Sequence, residues 1–335
     1  MAASVGYTVQ TFNSTTLGTT SGTWQPWNFY GNSTPADRYK QNADGTISLQ
    51  KGSNCGASIA TAAHKQNTLA WDGIAFGGGG YFEVTMSITG ADVYSYPNCG
   101  VSFFMLDVEH TSQGPYPINW PGTEPAWNPK KKYSAYEVAA YKGQLWASAI
   151  NKNVGNVPPS PGKQSSPTWI TYTDFFEIDV MEFDAASPRN PTAYQNGIGN
   201  WYSAGPGPTA TGNPHTEIGG CTGCVIAPAR TDFSKPHRYG LLWVPATGSG
   251  NTTMTQGYLK FYFDGTQTGK TFYWNYYDFL NPATYPAPPP VNGSTAMSGM
   301  DWKHMMLILG GDVQQQATVH SAQVWQASGA SNLVN

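Results

Sequence analysis

The chain has 335 residues, 17 Lys plus Arg against 20 Asp plus Glu, a net charge of −3 and only 11% charged residues. That is under half the usual share of about a quarter; it excludes the basic field that nucleic acid requires and argues against an anionic membrane surface. The polar surface must come mainly from Ser, Thr, Asn, Gln and Gly, and with 14% aromatics it suits a neutral, hydroxyl-rich ligand, carbohydrate first.

Helical periodicity is scarce. Short β-rich runs recur instead between Gly, Pro and Asn clusters: 81–88, 100–106, 133–141, 175–183, 238–244, 258–263, 304–310 and 317–325. Such spacing predicts an all-β sandwich or barrel. The glycine run at 77–80 leads into a strand, so it is no phosphate loop, and neither a P-loop nor a dinucleotide fingerprint is present. Residues 107–169 form a long excursion holding Trp120, Trp127, Trp146 and Lys130–Lys132, and the Pro-rich stretches at 157–167 and 282–292 read as surface loops. No linker or internal repeat divides the chain, so one domain over 1–335 and a monomer are expected. The longest apolar run, MMLIL at 305–309, is strand-sized and far short of the ~18 residues of a membrane span.

Four cysteines, Cys55, Cys99, Cys221 and Cys224, are even in number and allow two disulfides. The CTGC pair favours a structural disulfide loop; the sequence leaves the pairing open, and a Cys55–Cys99 bridge is an expectation that the spacing does not fix. A lone CxxC also fits redox chemistry or half a zinc site, but no second CxxC or HxxxH supplies the other ligands. Sequons at Asn13, Asn32, Asn251 and Asn292 fit an extracellular protein. No charged-then-apolar leader is visible, so secretion is an expectation from composition, with a leader expected to have been removed.

The run DFFEIDVMEFD at 174–184 is the feature that demands an account. Strand side chains alternate faces, so Phe176, Ile178 and Val180 point into the core while Phe175, Glu177 and Asp179 point outward. Continued strictly, the pattern would bury Glu182, an expensive place for a carboxylate. A β-bulge at Val180–Met181 resets the alternation, bringing Glu182 out beside Glu177 and Asp179 and returning Phe183 to the core. Two Glu flanking an Asp on one face is what retaining glycoside hydrolysis needs: one carboxylate attacks, the other protonates the leaving oxygen and then activates water. Mutual repulsion in such a cluster separates the protonation steps. The Glu backbones lie roughly 13 Å apart along the bulged strand, so only long Glu arms leaning together can reach the ~5 Å that retention requires. An exposed acidic edge or a calcium site is the competing reading of the same spacing.

EIDVME at 177–182 resembles the ExDxxE signature of glycoside hydrolase family 16, in the bulged form of its laminarinase, agarase and carrageenase branches. GGGYFEVTMSI (78–88) is similar to the family's first sandwich strand and FFMLD (103–107) to the strand before its active site. HRYGLLWVP (237–245) with LKFYFDG (259–265), then MMLILGGD (305–312) and SAQVWQ (321–326), resemble its later strands. The resemblance covers most of 71–110 and 171–326. It implies a concanavalin A-like jelly-roll β-sandwich of two antiparallel sheets with a concave cleft, Glu177 as nucleophile, Glu182 as acid/base and Asp179 as assistant. It departs from the family at Cys99-Gly100, where Trp-Pro is usual, and at GIGNWYS (197–203), where many members place a His.

Sugar rings stack on flat apolar faces, so Trp169 and Trp201, which flank the acidic strand, and Asn200 beside them are substrate-binding candidates. Trp120 and Trp127 could reach in from the excursion. Core packing is the alternative for each, and it is favoured for Trp243 and Trp325. His215 and His237 read as structural hydrogen-bonders. The expectation is a retaining hydrolase of β-1,3-type glucan, mixed-linkage glucan or a related galactan. It needs no cofactor, although structural calcium is compatible with it. A transglycosylase on the same site or a non-catalytic lectin-like sandwich is the alternative.

Overall fold

The computed structural model describes residues 1–27, 37–50, 58–64, 71–90, 100–109, 111–113, 116–118, 120, 125–135, 137–142, 144–160, 166–183, 193–204, 215–219, 225–250, 252–276, 297–311 and 315–335. Two large antiparallel sheets form a β-sandwich. The outer sheet runs in the order Thr266–Trp274, Gly257–Phe263, His237–Val244, Gly80–Gly90, Gln315–Gln326, Ile47–Leu49 and Tyr39–Gln41, with Val9–Asn13 also on Gln315–Gln326. The inner sheet runs Val138–Tyr141, Gln144–Ser148, Trp169–Glu182, Ser102–Asp107, His304–Gly310, Ser58–Ala60 and Gln25–Trp27. Ala193–Ala204 pairs along the other edge of Trp169–Glu182 and carries His215–Gly219.

Alternation builds the layers. In Gly80–Gly90, Phe82, Val84, Met86 and Ile88 enter the core, while Tyr81 and Glu83 meet on the outward face through a 2.8 Å hydrogen bond. Leu241, Trp243, Leu259 and Phe261 complete the outer layer's inner face; Phe103, Met105, Leu307 and Leu309 rise from the inner sheet to meet them. Each such side chain withdrawn from water contributes about 1.5–3 kcal/mol. Trp243 is core, as expected, but Trp325 is half-buried on the outward face, 5.8 Å from Tyr81, because Val324 takes the inward position.

The excursion at 107–169 is no plain loop. Its hairpin Val138–Tyr141/Gln144–Ser148 pairs onto Trp169–Thr171 and lengthens the inner sheet. The expected 133–141 strand begins only at Val138, since Tyr133 makes an isolated bridge with Asn153. The four cysteines, the 282–292 stretch and the sequons at Asn32, Asn251 and Asn292 lie outside the described residues, whereas Asn13 is exposed at a strand end.

Two motif pieces gain a reason. His237 Nδ1 bonds the Asp264 carboxylate at 2.7 Å and its Nε2 meets the Asp232 carbonyl at 3.1 Å. The His of the first strand is thus tied to the Asp-Gly turn that follows its neighbour. At Gly100 a Cβ would lie 1.2 Å from the Phe183 carbonyl oxygen. The chain must be glycine where it crosses the end of the acidic strand, which explains the departure there.

Candidate active site

The site is built on Trp169–Glu182. Its register with Ser102–Asp107 pairs Glu177 with Leu106 and Asp179 with Phe104, then jumps to Met181 opposite Phe103 and Glu182 opposite Ser102. Against Ala193–Ala204, Asp179 pairs with Gly197 and Glu182 with Gln195, so three steps on one strand match two on the other. One extra residue is inserted at Val180–Met181: the bulge stands where the burial argument required it. Its consequence is visible in the packing. Phe176, Ile178, Val180, Met181 and Phe183 all belong to the buried core, while Glu177, Asp179 and Glu182 are half-buried on the opposite face. Without the insertion Glu182 would stand among those core side chains.

The acids have distinct flanks. On one side stand Gly199, Gly197 and Gln195, and Gln195 donates from Nε2 to Glu182 Oε2 at 2.8 Å. On the other, Leu106, Met306 and Ile308 are fully buried in a second apolar cluster with Phe175, Ala60, Trp71 and Trp120, against which Phe104 packs. The carboxylates therefore sit at the margin of an apolar patch, where charge interactions are stronger than in open water.

The aromatic candidates divide. Trp169 is 0% exposed, edge-on to Tyr133 at 5.1 Å, and its indole N–H donates to the Asn156 carbonyl at 2.8 Å. It packs with Trp146 and Ala139, so it is a core residue and offers no ring face to a sugar. Trp120 is nearly buried and stacked on Trp71 at 5.6 Å and 28°; it roofs apolar surface beside the acids instead of forming a free platform. Trp127 packs at the rim of the Trp169 cluster, 5.5 Å from Tyr141, which places it with the far end of the strand. Trp201 pairs with Phe175 and Asn200 with Phe176; their side chains, like that of His215, lie outside the described residues.

Sequence reasoning missed Gln195, whose register emerges only from strand pairing. It also missed Asp107, whose carboxylate accepts the Phe176 N–H and faces Lys303 Nζ at 3.0 Å. A signal for Asp107 was present: Phe103, Met105 and residue 107 share the inward face by alternation, so an Asp there needs a partner. Burial pushes its carboxyl well above the ordinary range; Lys303 pulls it back and Glu109 adds to the rise. Among the described residues, no group of three or more His, Cys, Asp or Glu side chains forms a metal cage.

What fold and site define together is an antiparallel β-sandwich with three carboxylates on one face of its inner sheet. No family model matches the chain, and no curated protein does. Solved structures similar to it include an endo-1,3-beta-glucanase from Streptomyces sioyaensis (13% identity, 96% of this chain and 88% of that one, TM-score 0.40). Basic winged bean lectin with Tn-antigen is another (9% identity, 96% and 99%, TM-score 0.37), as is the alginate lyase Aly36B (8% identity, 90% and 86%, TM-score 0.34).

Proposed function

We propose that the protein is a retaining glycoside hydrolase acting outside the cell on a neutral polysaccharide, of the β-1,3-glucan type or a related galactan. The observation that carries this reading is the bulge. It costs the strand a regular ladder position, and its effect is to bring Glu182 to the face of Glu177 and Asp179. A binding surface alone has no need of two Glu at that spacing.

In the first step the Glu177 carboxylate attacks the anomeric carbon while Glu182 gives its proton to the departing glycosidic oxygen. Glu182, now ionised, takes a proton from water, whose oxygen displaces Glu177 from the sugar and restores the starting configuration. Asp179, between them, holds the cluster's charge and proton in place. Gln195 donates from Nε2 to Glu182 Oε2 and so orients that carboxyl group. A sugar hydroxyl in place of water would give transglycosylation by the same displacement.

The test is reducing-sugar release from a panel of β-1,3-, mixed-linkage and β-1,4-glucans and galactans. Turnover on at least one polymer by the unmodified protein, abolished in Glu177→Gln with oligosaccharide binding kept, is the expected result. Full activity in that variant would overturn the nucleophile assignment. Binding without turnover by the unmodified protein would leave a lectin-like sandwich instead.

A further inference from the structure

Behind the acidic strand lies a buried set of charges that this chemistry does not use. Asp107 is 0% and Lys303 7% exposed, with Nζ 3.0 Å from Oδ2. Lys303 Nζ also approaches the Glu109 carbonyl oxygen at 3.4 Å. The Glu109 carboxylate takes the His304 N–H at 3.0 Å and bonds His304 Nδ1. Lys303 ends the short turn Ser298–Trp302 and leads into His304–Gly310.

The place of the pair in the ladder matters. Ser102–Leu106 pairs with Glu177–Glu182 along one edge of the acidic strand, and Gln144–Ser148 resumes pairing on Trp169–Thr171. Between them, at Phe176, Asp107 continues the ladder with its side chain: Oδ1 accepts the backbone N–H of the residue just before Glu177. Buried ion pairs contribute little to net stability, because desolvation offsets their attraction; fixing a register is among their best-attested uses. A one-residue slip in a strand turns every side chain to the opposite face. Here it would send Glu177 and Asp179 into the core.

We propose that the Asp107–Lys303 pair is a positioning element that locks the acidic strand at Phe176 and so presents Glu177 to the substrate face. The catalytic consequence rests on the reading of Glu177 as nucleophile; the lock itself does not.

The experiment replaces both charges, Asp107→Leu with Lys303→Met, and reads thermal unfolding, kcat, KM and amide exchange at Phe176. An element that only stabilises would leave kcat unchanged in a variant that stays folded. The lock predicts an unfolding temperature at or above that of the unmodified protein and kcat lower by about 10²-fold. It also predicts KM within about threefold and faster exchange at Phe176. Retained kcat with retained Phe176 protection would overturn it. Should the double variant not fold, Asp107→Ala with Lys303→Gln, which removes the acceptor facing the Phe176 N–H and leaves no buried charge, decides by the same two readouts. If the unmodified protein cleaves no polysaccharide, the hydrolase reading fails alone, and Phe176 exchange in the variants still upholds or refutes the lock.

Discussion

At one end of the strand Trp169–Glu182 the outward face carries Trp169, packed with Trp146 and Tyr133 beneath the excursion. At the other end, about 26 Å along the strand, the same face carries Glu177, Asp179 and Glu182, all half-buried. Alternation treats the two ends alike; what differs is what lies over them. The hairpin Val138–Ser148 seals the first end as a small core of its own, while at the second the bulge turns an acid outward. A strand position therefore becomes a site or a core residue according to the neighbouring elements, which composition and connectivity do not reveal.

Truncating at each end should separate the two roles. Glu182→Ala at the acidic end is expected to lower kcat/KM by up to about 10⁴-fold on natural polymer, and less on substrates with good leaving groups. Azide should restore a product of retained configuration, read by anomeric NMR, and thermal stability should hold. Trp169→Ala at the aromatic end is expected to do the reverse. A buried Trp replaced by Ala costs about 3–5 kcal/mol, seen in denaturant unfolding, with KM unchanged; a rise in KM with stability intact would return Trp169 to the cleft.

A second comparison sets the buried acid Asp301 beside those of the acidic strand. It accepts the Trp274 indole N–H at 2.9 Å and the Ala246 N–H at 3.1 Å, and burial pushes its pKa up to about 7. The folded protein thus holds this proton more tightly than the unfolded chain does. Stability from this group is full below the ordinary Asp pKa near 4 and is lost as pH rises through 7, by at most about 4 kcal/mol. Unfolding free energy measured from pH 4 to 8 should fall, and Asp301→Asn should flatten the slope. The smallest effect is expected at Gln195→Ala, which removes one bond to Glu182. A loss of about tenfold in kcat/KM corresponds to a single charge-assisted hydrogen bond, and no loss would show that Glu182 is held by other contacts.

The sandwich was legible in the sequence because short β-rich runs recur between Gly, Pro and Asn clusters, some alternating as Gln315–Gln326 does and others apolar throughout as His304–Gly310 is. The bulge was legible for a sharper reason: Glu182 could not be left in the core at tolerable cost. The tryptophans were not. A Trp flanking an acidic strand stacks a sugar or another ring by the same physics, and only the excursion's packing assigns Trp169 and Trp120 to rings and backbone. Lys303 was hidden similarly, since a lone Lys before an apolar run resembles a solvated strand end until Asp107 is found facing it.

The central claim, that Glu177 forms a covalent bond to the sugar, is tested most directly by trapping. A 2-deoxy-2-fluoro oligosaccharide with a good leaving group, incubated with the protein, should add one glycosyl mass to the intact chain and locate it on Glu177 after proteolysis. A label on Glu182, or turnover of the natural polymer with no label on any carboxylate, would contradict it.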